Sequence, residues 1–116
     1  MDGGLNMSLD ITVKVQQPII RSHCGEIVDY KTIEEIDSGG RVWYDYLESI
    51  GYYVPYEKWK NGEKDKYGED MILSETQIEL MKKYIQNHNI YYGNAIFNAV
   101  SEAQINGDSV VINADW

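Results

Sequence analysis

Leu9, Ile11, Val13 and Val15 alternate with Asp10, Thr12, Lys14 and Gln16. A period of two with one apolar side predicts a half-buried strand. Pro18 is expected to end that strand or to place it at a sheet edge, since proline cannot donate to a ladder. Ile19-Ile20 and Ile27-Val28 flank Ser22-His23-Cys24-Gly25, which reads as a second short strand and a turn. Thr32 and Glu35 have the spacing of a capping box and predict a one-turn helix stopped by Gly39-Gly40.

Helical spacing takes over further along. Val42, Tyr46 and Ile50 recur every fourth residue and Trp43 pairs with Leu47, which predicts a helix over 41–50 closed by Gly51. Tyr52-Tyr53-Val54-Pro55-Tyr56 reads as extended chain. Asn61-Gly62 is a hairpin signal, followed by a charged run, Glu63 to Asp70, too polar for a core. Ser74 and Gln77 form a capping box ahead of Ile78, Met81 and Ile85, which share one face of a helix over 75–87. Ala95, Ile96, Ala99, Val100 and Ala103 predict another helix, closed by Gly107. Val110-Val111-Ile112 starts a final strand that runs to Trp116 and pairs with the first. The sum is an α+β fold: a small antiparallel or mixed sheet, N- and C-terminal strands paired, packed by about three helices. Residues 1–6 read as a flexible leader and 7–116 as a single α+β domain.

Charge narrows the function. The chain has 116 residues with 10 Lys+Arg against 19 Asp+Glu, a formal charge of −9. The excess is spread along the chain, so no acidic tail accounts for it. Direct nucleic-acid binding needs a basic surface and is disfavoured. Anionic membrane surfaces attract Lys/Arg clusters, and none occurs. A cationic partner is favoured instead. With Cys24 the only cysteine, an intrachain disulfide scaffold is excluded. No stretch approaches the length of a membrane span and no signal peptide is apparent, so cytoplasm, of a cell or of a phage-infected host, is the expected compartment.

Motifs for chemistry are sparse. His23-Cys24 offers a thiol next to an imidazole, but adjacent residues on extended chain point to opposite faces, so a small thiol-dependent enzyme using Cys24 needs a base supplied across the fold. His23, Cys24 and His88 lack the short paired spacing of zinc ligands. Glu63, Asp65, Glu69 and Asp70 lack the alternation and terminal glutamate of a calcium loop. No phosphate-binding glycine motif appears. No metal or other cofactor is therefore expected. The two helices over 75–106 have helix-turn-helix outline, yet the second carries no Lys or Arg, so a helical hairpin packed on a sheet is the better reading.

The stretch from Trp43 to Trp59 is the most unusual. It holds Trp43, Tyr44, Tyr46, Tyr52, Tyr53, Tyr56 and Trp59 among Asp45, Glu48 and Glu57. Interfaces enrich such rings because they join rigid area to a polar tip. With only one Phe in the chain, Trp43, Tyr46 and Leu47 are expected in the core. The expected partner-binding set is Tyr44, Asp45, Glu48, Tyr52, Tyr53, Tyr56, Glu57, Trp59, Glu63, Asp65, Glu69 and Asp70. Tyr91, Tyr92, Gly93 and Asn94, at a helix start, form the alternative: a small-ligand or nucleotide-binding (sponge) site.

Met7-Ser8-Leu9-Asp10-Ile11-Thr12 resembles the opening of many short phage-borne proteins. Small size, acidity and richness in Tyr, Asn and Ile also resemble small phage accessory proteins, including anti-CRISPR inhibitors. The resemblance implies an inhibitor. The spread of charge joined to clustered aromatics predicts a non-enzymatic, acidic protein-binding module that mimics nucleic acid and docks on a partner protein's basic surface, one that normally holds nucleic acid. A homo-oligomer stays open.

Overall fold

The computed structural model describes residues 9–21, 23–62 and 64–116, without the side chains of Lys60 and Asn61. The leader at 1–6, Met7, Ser8 and Glu63 lie outside the described residues. Strands β1 (Asp10–Ile20), β2 (Ile27–Gly39), β3 (Asp70–Ile72) and β4 (Ser109–Asp115) form an antiparallel sheet in the order β2-β1-β4-β3. Helices α1 (Tyr44–Ser49), α2 (Glu75–Asn87) and α3 (Gly93–Asn106) complete the α+β fold. The first and last strands are paired, Asp10 opposite Asp115 and Gln16 opposite Ser109.

The alternation at the N-terminus sets the layers. Leu9, Ile11, Val13 and Val15 are buried on one side, where they meet Val110, Ile112 and Ala114 of β4. Helix α3 lies across β1, β2 and β4 on this side, with α2 beside α3 and α1 against α2. Ile96, Ala99, Val100 and Ala103 of α3 and Ile78, Met81 and Ile85 of α2 close the core. Burying such side chains stabilises by about 1.5–3 kcal/mol each. Apart from Val111 and Ile72, the opposite sheet face is polar: Thr12 donates to Asp37 at 3.1 Å, Gln16 to Thr32 at 3.3 Å, and Lys14 reaches Asp70 at 3.4 Å.

β1 continues through Pro18 because the ladder has only one neighbour there. Leu9 accepts from the Gly40 N–H and Arg21 donates to the Glu26 carbonyl, so odd-numbered residues of β1 turn their backbone groups to β2. Alternation turns the even-numbered ones to β4. β4 stops opposite Gln16. Pro18, two residues on, therefore faces an edge that no described strand occupies and forfeits no ladder bond there.

Four segments correct the sequence reading. Residues 27–39 are one long strand, with no helix at 32–35; Thr32 takes a cross-strand bond from Gln16 instead of capping. Asn61-Gly62 closes no hairpin. Tyr56–Asn61 is a 3-10 helix after Pro55, and Gly62, at φ 87, is its left-handed end. A left-handed Gly serves either role, and the charged flank supplies no partner strand. Residues 70–72, read as the end of a loop and the residues beyond it, form β3 on β4. The helix over 41–50 starts as a 3-10 turn, Arg41–Trp43, before α1. The Ser74–Gln77 capping box is formed in both directions, at 2.9 and 3.2 Å.

Large aromatic residues complete the core with their polar tips tied to backbone. Trp43 Nε1 donates to Ser38 Oγ, which donates to the Tyr91 carbonyl. Tyr46 donates to the Gln77 carbonyl at 2.8 Å. Tyr52 finishes the ladder where β3 runs out: its hydroxyl accepts the Ala114 N–H at 2.8 Å and donates to the Glu69 carbonyl at 2.6 Å. The Gly68 N–H takes the Ala114 carbonyl.

A Tyr52→Phe variant leaves the buried Ala114 N–H without its partner and should lose about 1–3 kcal/mol in urea unfolding; a stability equal to the parent's would remove the hydroxyl from this role. Tyr46 carries a second expectation. Burial pushes its phenol well above the usual value, while in the unfolded chain it ionises near pH ~10. Its stabilising contribution is complete below that pH and is lost as pH climbs toward the folded value. Tyr46→Phe should cost about 0.5–1.5 kcal/mol at neutral pH through the lost bond, yet flatten the alkaline decline. An unaltered alkaline slope in unfolding curves would contradict the assignment.

Candidate functional site: an aromatic and acidic face at one end of the sheet

Asp10 pairs with Gly39 on one side and with Asp115 on the other. The chain thus leaves β2 for α1 at the same end of the sheet at which it finishes β4. Trp116 lands beside the start of α1 and gathers rings: Tyr53 at 5.6 Å between centroids, Tyr44 at 6.3 Å, Tyr52 at 6.2 Å and Tyr67 at 4.9 Å. Tyr44 and Tyr53 meet edge to face at 5.0 Å. Tyr44, Tyr53 and Trp116 are half-buried, Tyr67 exposed and Tyr52 fully buried. Such pairs contribute about 0.5–1.5 kcal/mol each beyond their area, so the face is held in shape without a partner.

Charge surrounds the rings. Tyr44, Tyr53, Asp45, Glu48 and Arg41 line an open depression of about 470 Å³. The Arg41 guanidinium stands 5.9 Å from the Tyr44 ring centre, within the range of a cation–π contact. Next to Trp116, the Asp115 carboxylate, as a hydrogen-bond acceptor first and as a charge second, holds the Tyr67 phenol above its ordinary value. Tyr44 is also raised, by burial first and then by Tyr53, against a smaller opposing effect of Arg41.

The expected contact residues divide. Tyr44, Asp45, Glu48 and Tyr53 come together. Tyr56, Glu57 and Trp59 form a separate group with Lys64 around a second open depression of about 520 Å³. Trp59 is fixed there by a bond to the Val54 carbonyl at 3.0 Å. Asp65 is half-buried and Glu69 exposed. Tyr52 is a correction: it is a core residue with no exposed surface. Asp70 faces the opposite side of the sheet from the core, paired with Lys14 and with Asn113 at 2.9 Å. Glu63 lies outside the described residues.

Sequence reasoning missed Trp116, Tyr67 and Asp115. Trp116 read only as the end of a strand, and Tyr67 was lost in a charged run. The signal was the expected pairing of first and last strands, which returns the C-terminal ring to the end of the sheet where α1 begins.

The alternative sites have structural occupations. Gly93 is closely packed: a Cβ there would lie 3.1 Å from Ile85 and 3.2 Å from Ile90. Its N–H is taken by the Ile90 carbonyl. The Tyr91 carbonyl is taken by Ser38, and Tyr91 and Tyr92 lie ring to ring at 4.3 Å, both exposed. Tyr92 adopts a left-handed φ of 59. Asn94 is exposed. Cys24 is exposed at the turn between β1 and β2, while the His88 ring is stacked on Tyr84 at 3.9 Å and bonded to its carbonyl. Among the described residues no three His, Cys, Asp or Glu side chains stand close enough to hold a metal ion. No described helix is long and apolar enough to cross a membrane.

No family model, curated protein or solved structure matches this chain.

Tyr67 gives a direct check on the geometry. Asp115→Asn removes the charge behind the phenol, and tyrosine-selective NMR should show the Tyr67 midpoint moving down toward about 10. A midpoint that stays in place would separate the two groups.

Proposed function

We propose that this protein is a non-enzymatic binding module whose aromatic and acidic face docks on a cationic protein surface. The observation that carries this reading is the continuous set of partly open rings, Tyr44, Tyr53, Trp116 and Tyr67, with Asp45 and Glu48 beside Tyr44 and Tyr53 and Asp115 beside Tyr67. Arg41 over Tyr44 is an internal instance of the contact such a face makes. Lysine and arginine side chains of a partner would stack on ring faces while the carboxylates neutralise them. Long-range charge would speed the encounter, and desolvated rings at the centre would supply most of the affinity.

The partner class this favours is a protein whose basic surface ordinarily holds nucleic acid. Carboxylates then stand where phosphates would, and binding blocks that surface. An inhibitor of this kind agrees with the resemblance to small phage accessory proteins. Tyr56, Glu57 and Trp59 supply a second, separate contact group.

The test uses an arginine-rich synthetic peptide, with a glutamate-rich one of equal length as the control, and isothermal titration calorimetry. The arginine peptide should bind and the control should not. Affinity should fall by at least about tenfold between roughly 50 and 500 mM salt, over which the screening length drops about threefold. Asp45→Asn with Glu48→Gln, both exposed positions, should weaken binding by about tenfold, whereas Glu102→Gln on α3 should not. Salt-insensitive binding, or equal losses at Glu102, would sink the reading.

A further inference from the structure

The other end of β1 carries a surface of opposite character. Past Gln16 the sheet has lost β4, and β1 and β2 run on as a two-stranded arm whose last bond is from the Arg21 N–H to the Glu26 carbonyl. The molecule measures 55 × 35 × 23 Å, with a radius of gyration of 15.5 Å against about 13 Å for a compact chain of this length. Ile19, Ile20, Ile27, Val28, Tyr30 and Ile33 are all between 41% and 54% exposed. Isolated two-stranded hairpins are marginal in water, and an exposed apolar strand edge is a template for pairing.

The arm is also electrically distinct. Residues 17–33 hold Arg21 and Lys31 against Glu26 and Asp29 and are neutral, in a chain of charge −9. It is a place where two copies can approach without net repulsion from the surfaces that touch.

Of its two open edges, only one can pair. On β1 the open edge holds Pro18, which has no N–H. On β2, Asp29 and Lys31 stand opposite Ile19 and Gln17, whose backbone groups point at β2. Tyr30 and Thr32 therefore turn theirs outward. The Tyr30 N–H confirms the direction, since it bonds the neighbouring Asp29 carboxylate at 2.7 Å in place of a strand.

We propose that two copies of this chain pair antiparallel along β2, with Tyr30 on the two-fold axis. The Tyr30 N–H and carbonyl exchange bonds with the partner's Tyr30. Asp29, released from the Tyr30 N–H, then stands opposite the partner's Lys31, and Lys31 opposite the partner's Asp29. Moving the axis one residue either way sets Asp29 against Asp29 or Lys31 against Lys31, both disfavoured. The charge pattern thus selects one register, and an isologous contact needs this self-complementarity. The exposed isoleucines and Val28 flank the paired window and supply apolar contact around it.

The test is sedimentation velocity from about 5 to 500 µM at a fixed salt near 150 mM, with circular dichroism to confirm folding. The parent should sediment reversibly as twice the chain mass at the upper concentrations. Asp29→Lys and Lys31→Asp, each exposed and each placing like charges opposite, should raise the dimer dissociation constant by at least about tenfold. The double variant, Asp29→Lys with Lys31→Asp, should recover the parent's constant. A parent that stays monomeric throughout would overturn the proposal and leave the arm to a different protein. Dimers indifferent to the single swaps, or a double variant that does not recover, would overturn it as well.

Discussion

Everything in this structure depends on β1 being held between β2 and β4 in one register. The alternation of Leu9, Ile11, Val13 and Val15 with polar neighbours chooses the inward face, and a slip of one residue would turn all four to solvent. That register opposes Asp10 to both Gly39 and Asp115. It thereby fixes where α1 begins, where Trp116 ends, and where β4 leaves off so that the arm begins. The two surfaces argued to bind are consequences of one strand's pairing.

The core that anchors this register is unusual in its polar tips. A chain with one Phe and ten Tyr cannot fill its interior with hydrocarbon alone, and each buried hydroxyl needs a partner. Tyr52 completes a ladder, Tyr46 ties α1 to α2, and Tyr84 bonds the Val42 carbonyl. These bonds specify geometry more sharply than apolar packing, because a displaced hydroxyl would be left unpaired. The same burial raises the phenols of Tyr46, Tyr52 and Tyr84. A fold of this kind is tuned for neutral pH and is weakened by strong base.

What could be read from the sequence was what local chemistry decides. The alternation in β1, the Ser74–Gln77 box and the left-handed glycines at 51 and 107 each state their structure within a few residues, and all are present. The α+β class with paired terminal strands followed from them. Tertiary partners decided the rest. Thr32 and Glu35 match a capping box, but the neighbouring strand offers eleven residue pairs of ladder and wins over a single turn of helix. Asn61-Gly62 serves a 3-10 end because no strand flanks it. β3 has three residues, too few for a period to show. Half of the aromatic face was legible because Tyr44, Asp45, Glu48 and Tyr53 are close in sequence; Trp116 and Tyr67 join them only through the sheet.

The placement of the two surfaces bears on how they would work together. The aromatic face lies at the Asp10 end of β1 and the arm at the Ile20 end, about 33 Å apart along a strand rising roughly 3.3 Å per residue. Occupation of one leaves the other clear. The acidic face repels its own copy, so it cannot be the self-contact, while the neutral arm has too little charge to attract a basic surface. A dimer joined through β2 would carry two acidic faces at its far ends, one per copy. Such a pair engages a partner that repeats its basic surface with an effective concentration set by a stiff sheet, and against a partner with a single surface it gains nothing. The arm therefore matters to binding only where the cationic target is itself repeated.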